Sequence, residues 1–386
     1  METTHFHKAY DGGCKFIQHL GEELSRQGHE VEIITTRLRD NPNLKEAVYN
    51  GVKHIFILPE YSGKRMIPFN MFYKMIFSYN LNKYLQKQRF DILHNSEAFA
   101  YHYLHNKKRE KVIFQSWALE PFYGHECLSQ KGFRKLYIKF ALQRQWKYCL
   151  NKSDVVTADD ESQIEAIVKL GVDKNKIEFI PLGIPFKNLQ KLKKNFKNKR
   201  KELGFKKNDL VILSVGQIVP EKGIDEIIQA FERIKKRIKN AKLIIIGKGI
   251  LEEKMHEMIR DFGLENDFVH LKNVPENDLF NYHFSSDIFI NGTHTNYPTV
   301  SVQEALAAGL PIVSGESIFL VKNGVNGYNV GRKNPEGIAE GVIKIYESGK
   351  MKQMGRSSLK MVESSDYENI ADMAIKAYEK SIKKPN

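Results

Sequence analysis

The feature that most constrains the fold of this chain is an alternation of short apolar strands and amphipathic helices that runs through the sequence twice. In the first half, residues 14–28 place their apolar side chains on one helical face, and the strand-like segment VEIITT (31–36) follows. In the second half, the strand-like segment 209–217 ends in a glycine turn, and the amphipathic segment 223–238 follows. Because strands that alternate with helices pair in parallel, the sequence predicts an α/β protein with two consecutive Rossmann-like domains.

The length of the chain, 386 residues, also fits two domains better than one. We predict three segments: an N-terminal domain at 1–182, a C-terminal domain at 183–364, and a final helix at 365–386 that crosses back to the N-terminal domain. A doubly wound domain opens with a buried strand that leads into its first glycine turn. Only residues 1–11 precede Gly12, so we expect a truncated first strand and a true start upstream of Met1.

The net charge of the chain is +14, which favours a partner that carries negative charge. Nucleic acid, anionic lipid and a phosphate-bearing substrate all qualify, and charge alone does not choose among them. The sequence contains no recognisable nucleic-acid-binding module, so we do not expect nucleic acid as a partner.

Cysteine content and hydropathy bear on the compartment. The three cysteines, Cys14, Cys127 and Cys149, are odd in number and far apart, which is typical of a reducing cytoplasm. We find neither an apolar run of about 20 residues nor a signal peptide, and we predict a cytoplasmic protein. Residues 64–90 and 131–148 mix apolar and basic side chains, which suits the inner face of an anionic plasma membrane. Alternatively, both are ordinary helices packed on the domain.

Two glycine-containing segments of the second half carry candidate binding residues. GQIVPEKG (216–223) follows a strand and opens a helix, so Lys222 would bind a diphosphate there, or would be a simple surface lysine. LIIIGKGILEEKM contains Gly247 and Gly249 like a dinucleotide fingerprint, but Glu252 occupies the third glycine position. We therefore predict a turn near a nucleotide base there rather than a dehydrogenase site.

The segment NYPTVSVQEALAAGLPIVSG (296–315) is the strongest candidate for phosphate binding. A helix begins near Thr299, and the backbone amides of Thr299, Val300 and Ser301 are suited to a diphosphate. Glu304 follows about one turn later, where an ionised carboxylate would accept two ribose hydroxyls. Alternatively, Glu304 is a solvated helix carboxylate.

Two short segments of the first half complete the candidates. Asp11-Gly12-Gly13 precedes the first helix, where bare backbone amides would meet a phosphate or an acceptor, although a plain turn is an equal alternative. Asp159-Asp160 follows a predicted strand and is interpreted as a loop and helix cap rather than as a metal-binding pair. We therefore predict neither a metal nor another cofactor.

In their order and spacing, these segments resemble glycosyltransferase family 4. The resemblance spans nearly the whole chain and includes RQGHEVEIITT (26–36), GQIVPEKG, AKLIIIGKG, SSDIFING and QEALAAGLPIVSG. It implies a GT-B fold, two facing Rossmann-like domains with a central cleft, and a retaining mechanism. It also implies a nucleotide-sugar donor of the UDP- or GDP-hexose type and a glycan or lipid-linked acceptor, in cell-envelope polysaccharide or glycoconjugate biosynthesis.

The resemblance assigns roles to individual residues. Lys222 would bind the donor diphosphate, Glu304 the donor ribose, and the helix amides at Thr299 and Val300 the donor. The implied catalytic residues are Lys222, Glu304 and Asn296. The implied donor-binding residues are Gly13, Gly216, Gln217, Lys222, Gly247, Gly249, Thr299, Val300 and Glu304. The implied acceptor-binding residues are Gly12, Gly13, Gln115 and Ser116.

The sequence departs from the family at four places. Asn296 replaces the first glutamate of the Glu-x7-Glu pair, and Gln217 replaces the arginine before the diphosphate lysine. Near Gln115 and Ser116 the usual histidine is absent, and a glycine-rich loop is shortened to SGESIFL. Two alternatives therefore stay open: a nucleotide-sugar-binding protein without transferase activity, which would bind nucleotide without turnover, and an epimerase or phosphorylase, which would turn over the donor without an acceptor.

Overall fold

The computed structural model describes residues 12–37, 43–59, 67–96, 99–107, 110–116, 138–294 and 300–383. The chain forms two compact units, one of Met1–Gly183 with Tyr367–Asn386 and one of Ile184–Asp366. Among the described residues, no helix has the length and apolar content needed to span a membrane. The expected truncated first strand falls on residues 1–11, outside the described residues.

The first unit contains two sheets. Its strands are β1 (Glu32–Arg37), β2 (Glu46–Tyr49), β3 (Val52–Pro59), β4 (Ile92–Ser96), β5 (Lys111–Gln115), β6 (Val155–Ala158) and β7 (Ile177–Phe179). One sheet has the order β1-β3-β2, and the other has the order β4-β5-β6-β7 with all strands parallel. The α-helices among its described residues, before the last helix of the chain, are α1 (Gly12–Arg26), α2 (Ile67–Leu85), α3 (Tyr101–His105), α4 (Gln143–Lys152) and α5 (Glu161–Lys169).

The antiparallel strand β2 is a feature that the predicted α/β alternation did not include. It pairs with β3 through a tight turn at Asn50 and Gly51, whose φ angles are 49° and 82°. Asn-Gly is the preferred dipeptide for this turn because both positions need positive φ. The dipeptide was therefore a usable signal for the hairpin.

The second unit contains one six-stranded parallel sheet. Its strands are β8 (Leu210–Val215), β9 (Ala241–Ile246), β10 (Phe268–Leu271), β11 (Ile288–Asn291), β12 (Ile312–Ser314) and β13 (Gly327–Asn329). Its helices are α6 (Phe186–Lys193), α7 (Ile224–Arg237), α8 (Glu252–Asp261), α9 (Glu276–Phe284), α10 (Val300–Ala308), α11 (Pro335–Glu347) and α12 (Met351–Val362). The strand order is β10-β9-β8-β11-β12-β13, so the chain changes direction across the sheet between β8 and β11.

The last helix, α13 (Tyr367–Lys383), belongs to the first unit and packs on β5 and β6. All five residues of β5 are buried because both faces of the strand are covered. On one face Phe114 packs against Trp146 of α4, with ring centroids 5.4 Å apart. On the other face the polar end of the strand lies under α13.

Helix α7 shows why the local sequence folds as it does. Ile224, Ile227, Ile228, Phe231 and Ile234 recur at helical spacing and are all buried. They form one apolar stripe that packs on the sheet. The last turn is basic, which is favourable at a helix C-terminus.

Candidate functional site

The carboxyl ends of β8 and β11 form the candidate site of the second unit. The two strands pair in parallel at the point where the strand order reverses. Ligands of open parallel sheets bind at such a switch point. The segment 216–223, which the sequence predicted as a binding segment, follows β8. Gly292, Thr293 and His294, which the sequence did not predict, follow β11 at the same edge.

Three glycines let the loops at this edge approach closely. A Cβ atom on Gly223 would lie 2.0 Å from the carbonyl oxygen of Gly292, and one on Gly292 would lie 2.6 Å from the carbonyl oxygen of Gly223. A Cβ atom on Gly315, which follows β12, would lie 3.3 Å from the same Gly292 oxygen. Gly223 also has a φ of 62°. The backbones after β8, β11 and β12 are therefore in direct contact, and only glycine fits at Gly223 and Gly292.

Lys222 lies where the sequence predicted a diphosphate-binding lysine. It ends the short 3-10 turn Pro220–Lys222 and is half-buried directly before α7. No side chain of the described residues caps the N-terminus of α7. An ammonium group beside a helix N-terminus is suited to bind an anion.

The predicted glycines Gly216, Gly247 and Gly249 lie together at the ends of β8 and β9. A Cβ atom on Gly247 would lie 1.8 Å from the carbonyl oxygen of Gly216, and one on Gly249 would lie 2.2 Å from the carbonyl oxygen of Ile218. The packing of two loops thus explains why Gly247 and Gly249 are glycines. Gln217, between these loops, is exposed.

Glu304 is buried on α10, which begins at Val300, and only 5% of its surface is exposed. The alternative of a solvated helix carboxylate is therefore wrong. Asn296 and Thr299 lie outside the described residues, and their predicted roles stay predictions.

Two ion pairs at this edge were not predicted from the sequence. His294 Nε2 lies 3.2 Å from Glu226 Oε1, and the guanidinium of Arg332 contacts Glu316, which follows β12. Glu316 Oε1 also accepts the backbone N–H of Ser317 at 3.0 Å. The position of His294 and Glu316 just after strand ends was the signal that could have found them, since such loops line the ligand crevice.

In the first unit, Gln115 and Ser116 are both buried at the end of β5. Burial lowers the pKa of His94 to about 3, so its imidazole is neutral at physiological pH. One tautomer satisfies both neighbours of His94: Nε2–H donates to Gln115 Oε1 at 3.1 Å, and Nδ1 accepts the Tyr378 hydroxyl at 2.7 Å. Burial in turn raises the pKa of Tyr378.

Several polar atoms beside this network are buried with no hydrogen-bond partner among the described residues: Gln115 Nε2, Ser116 Oγ, Thr157 Oγ1 and Gln163 Oε1. Gln115 and Thr157 are register partners on β5 and β6. Buried polar groups are nearly always paired, so an unpaired group requires an explanation. The set offers an amide donor, an acceptor and two hydroxyls that do either, which matches sugar hydroxyl groups.

Asp159 lies next to this set and was predicted as a loop carboxylate. It is 5% exposed, and the side-chain amide of Gln163 on α5 donates to it. Burial, with the neighbouring charge of Asp160, raises the pKa of Asp159 to about 7. A raised pKa in a polar cluster is a marker of functional sites, although structural clusters share it.

Gly12 and Gly13 were predicted to precede the first helix, but α1 begins at Gly12 and ends at Arg26. Both glycines therefore belong to its first turn, and the predicted helix at residues 14–28 is displaced by two residues. Helix ends commonly shift by this amount because capping contacts decide them.

Comparisons with known proteins identify relatives over the whole chain. An uncharacterized glycosyltransferase of Methanocaldococcus jannaschii is 25% identical over 93% of this chain and 92% of its own. The alpha-monoglucosyldiacylglycerol synthase of Streptococcus pneumoniae is 22% identical over 82% of this chain and 71% of its own. Anabaena HepE, solved with UDP and glucose, superposes with a TM-score of 0.70 at 15% identity over 98% of each chain.

Two protein-family models match the two halves of the chain. Glycosyltransferase Family 4 matches residues 10–187, and Glycosyl transferases group 1 matches residues 195–361. The structural likeness adds the GT-B fold that the sequence predicted. The chain belongs to the family 4 glycosyltransferases and is an enzyme of the GT-B fold.

Proposed function

We propose that this glycosyltransferase transfers a sugar from a nucleoside-diphosphate sugar to a glycan or lipid-linked acceptor, with retention of the anomeric configuration. The observation that carries the proposal is the half-buried Lys222 beside the N-terminus of α7, which no described side chain caps, at the switch point of the sheet. A UDP-sugar is the first donor to test, because HepE was solved with UDP.

In this reaction the second unit would stabilise the leaving nucleoside diphosphate. Lys222 supplies a fixed positive charge, and the amides at the start of α7 supply oriented dipoles. Such preorganised groups act on the charge that develops in the transition state. These groups support transfer without a metal ion. Glu304, held on α10, would accept the ribose hydroxyls of the donor.

The first unit supplies a candidate acceptor site. Gln115 Nε2, Ser116 Oγ and their unpaired neighbours at the ends of β5 and β6 offer both donors and acceptors. A hydroxyl group donates and accepts, so a sugar satisfies this mixture better than a phosphate, which only accepts, or a cation, which needs only acceptors. Gly12 and Gly13 add backbone amides at the start of α1.

The first test screens UDP, GDP, ADP and their hexose conjugates. Thermal shift measures the binding of each compound, and release of free nucleotide measures turnover of each conjugate. We expect one nucleotide family to bind, and Lys222→Ala to weaken it about 10- to 100-fold, as the loss of one charge-assisted hydrogen bond predicts. Glu304→Ala should weaken binding of the nucleoside diphosphate but not of inorganic pyrophosphate. Lys239→Ala is the matched control, because Lys239 is exposed beyond the opposite end of α7.

Each other outcome of this test favours a different function. Binding without turnover in the presence of candidate glycan and lipid acceptors would indicate a nucleotide-sugar-binding protein. Turnover to a new nucleotide-sugar without an acceptor would indicate an epimerase. Transfer that EDTA abolishes and magnesium restores would contradict the metal-free part of the proposal.

We also propose that the acceptor lies at an anionic membrane, on its cytoplasmic face. Helix α2 supports this because one face of it exposes Met75, Ile76 and Tyr79, at 44%, 49% and 58%, and Lys83 continues the same face. Apolar, aromatic and basic side chains on one helix face are suited to the headgroup region. The similarity to a synthase of diacylglycerol glycolipids points the same way.

The membrane proposal predicts that the protein co-sediments with vesicles that contain phosphatidylglycerol and not with vesicles of phosphatidylcholine alone. Replacing Met75 and Ile76 together by serine should weaken that binding about tenfold or more, since each buried apolar side chain contributes roughly 1.5–3 kcal/mol. Val48→Ser is the control, because Val48 is an exposed apolar residue on a different element, the strand β2. Equal binding to both kinds of vesicle, or to neither, would contradict the proposal.

A further inference from the structure

The start of α7 carries two carboxylates beside the proposed diphosphate site. Asp225 and Glu226 lie in its first turn, directly after Lys222 and Gly223. Carboxylates are favourable at a helix N-terminus in an empty protein, but they repel an anion that binds at the same place. A donor diphosphate at Lys222 would therefore meet two carboxylates within one turn.

Each of these carboxylates has a basic partner, and the two partners differ in kind. The Lys254 ammonium contacts Asp225, and His294 Nε2 lies 3.2 Å from Glu226 Oε1. A lysine is a permanent cation at physiological pH, whereas a histidine is charged only if protonated. The two pairs therefore differ in the chemistry of the basic partner.

The backbone ties His294 to the same loop as Lys222. The N–H of His294 donates to the carbonyl oxygen of Glu221 at 3.0 Å, and Thr293 Oγ1 lies 3.4 Å from the same oxygen. Glu221 immediately precedes Lys222. His294 therefore stays at the carboxyl edge of the sheet, where the donor site is proposed.

The surroundings of the pair make its charge effective. The side chains of His294 and Glu226 are 14% and 16% exposed, so water and salt screen their interaction less than that of a surface pair. The Nε2 atom of His294 is within ion-pair distance of Glu226 but makes no aligned hydrogen bond with a described residue. The contact is therefore one of charge rather than of hydrogen bonding.

We propose that His294 is a positioning residue that neutralises Glu226 and so permits the donor diphosphate to bind at Lys222. The inference rests on the proposed function, because it assumes that a diphosphate binds there. It also accounts for Gln217, which is neutral and exposed at this edge. The site would take its second positive charge from His294, in the loop after β11, instead of from residue 217.

Other charged groups face the same edge and are held constant in the test. They are Glu221, Lys222, the Asp225–Lys254 pair, Glu304 and the Glu316–Arg332 pair. None of them pairs with His294 among the described contacts, whereas Glu226 does. Glu226 is therefore the residue through which a change at His294 should act.

The test is a double-mutant cycle on UDP affinity, measured by titration calorimetry. We expect His294→Gln to weaken UDP binding about tenfold, because one uncompensated charge then lies near the diphosphate. Glu226→Gln should leave binding equal to the wild type or tighter. The double variant should recover to within about threefold of the wild type, because the charge that His294 balances is gone. A double variant as weak as His294→Gln alone would overturn the proposal.

A second measurement distinguishes an effect of the charge at His294 from an effect of the shape of its side chain. The ratio of the UDP dissociation constant of His294→Gln to that of the wild type should fall as the salt concentration rises, because salt screens the uncompensated Glu226 carboxylate. The salt dependence that both proteins share cancels in this ratio. A constant ratio would contradict the proposal. Absence of binding of UDP, GDP and ADP alike in the wild type, or no effect of Lys222→Ala, would instead indicate that the proposed donor site is wrong.

Discussion

The Gly223→Ala variant is expected to lose nucleotide binding and to unfold at a lower denaturant concentration than the wild type. The added methyl carbon would lie 2.0 Å from the Gly292 carbonyl oxygen, and φ at this position is 62°. A left-handed backbone costs alanine about 1–2 kcal/mol, and overpacking costs about 1–3 kcal/mol more. The loop that contains Gly223 must move to relieve the overlap, and Lys222 in the same loop moves with it.

Gly204→Ala is the matched control for this prediction. Gly204 lies in the same unit with a φ of 73°, but a Cβ atom there would meet nothing within 4 Å. It therefore carries the backbone cost without the overlap. We expect it to destabilise the protein by about 1 kcal/mol and to bind UDP as the wild type does. Equal loss of UDP binding in both variants would mean that the contact between Gly223 and Gly292 does not hold Lys222 in place.

The parts of the site that the sequence predicted are local in the chain. Lys222 could be placed because a strand, a glycine turn and a helix follow one another within a few residues. Val300 and Glu304 could be placed because a helix start follows a strand end. Each of these predictions needed only the pattern of neighbouring residues.

The parts that the sequence did not predict depend on residues far apart in the chain. His94 bonds Tyr378 across 284 positions, and His294, in the loop after β11, lies beside Glu226 of α7. The burial of Asp159 depends on the residues that pack over the ends of β5 and β6. The local sequence around Asp159 does not specify this packing. The electrostatic partners therefore had to come from the structure, whereas the positions of Lys222 and of the helix starts followed from the local sequence pattern.

Asp159→Asn is expected to stabilise the first unit at alkaline pH and to leave its stability nearly unchanged at acid pH. Burial, with Asp160 nearby, raises the pKa of Asp159 from an ordinary value near 3.8 to about 7. The folded state then holds a proton that the unfolded state releases, so the free energy of unfolding falls as pH rises between these two values and is constant above them. Three pKa units correspond to at most about 4 kcal/mol. Asparagine keeps an oxygen for the Gln163 amide and carries no charge.

Tryptophan fluorescence reports the unfolding of the first unit, which contains Asp159. Trp117 and Trp146 are the two tryptophans of the chain, and both belong to that unit. Urea unfolding of the wild type and of Asp159→Asn should coincide near pH 4 and diverge up to about pH 7, with the variant more stable. Asp173→Asn is the control, since Asp173 is exposed and asparagine also accepts the Asn175 N–H. If Asp159→Asn gained no stability at pH 8, the carboxylate would be stabilised in the fold, and a cation or donor bound beside it would be the next group to identify.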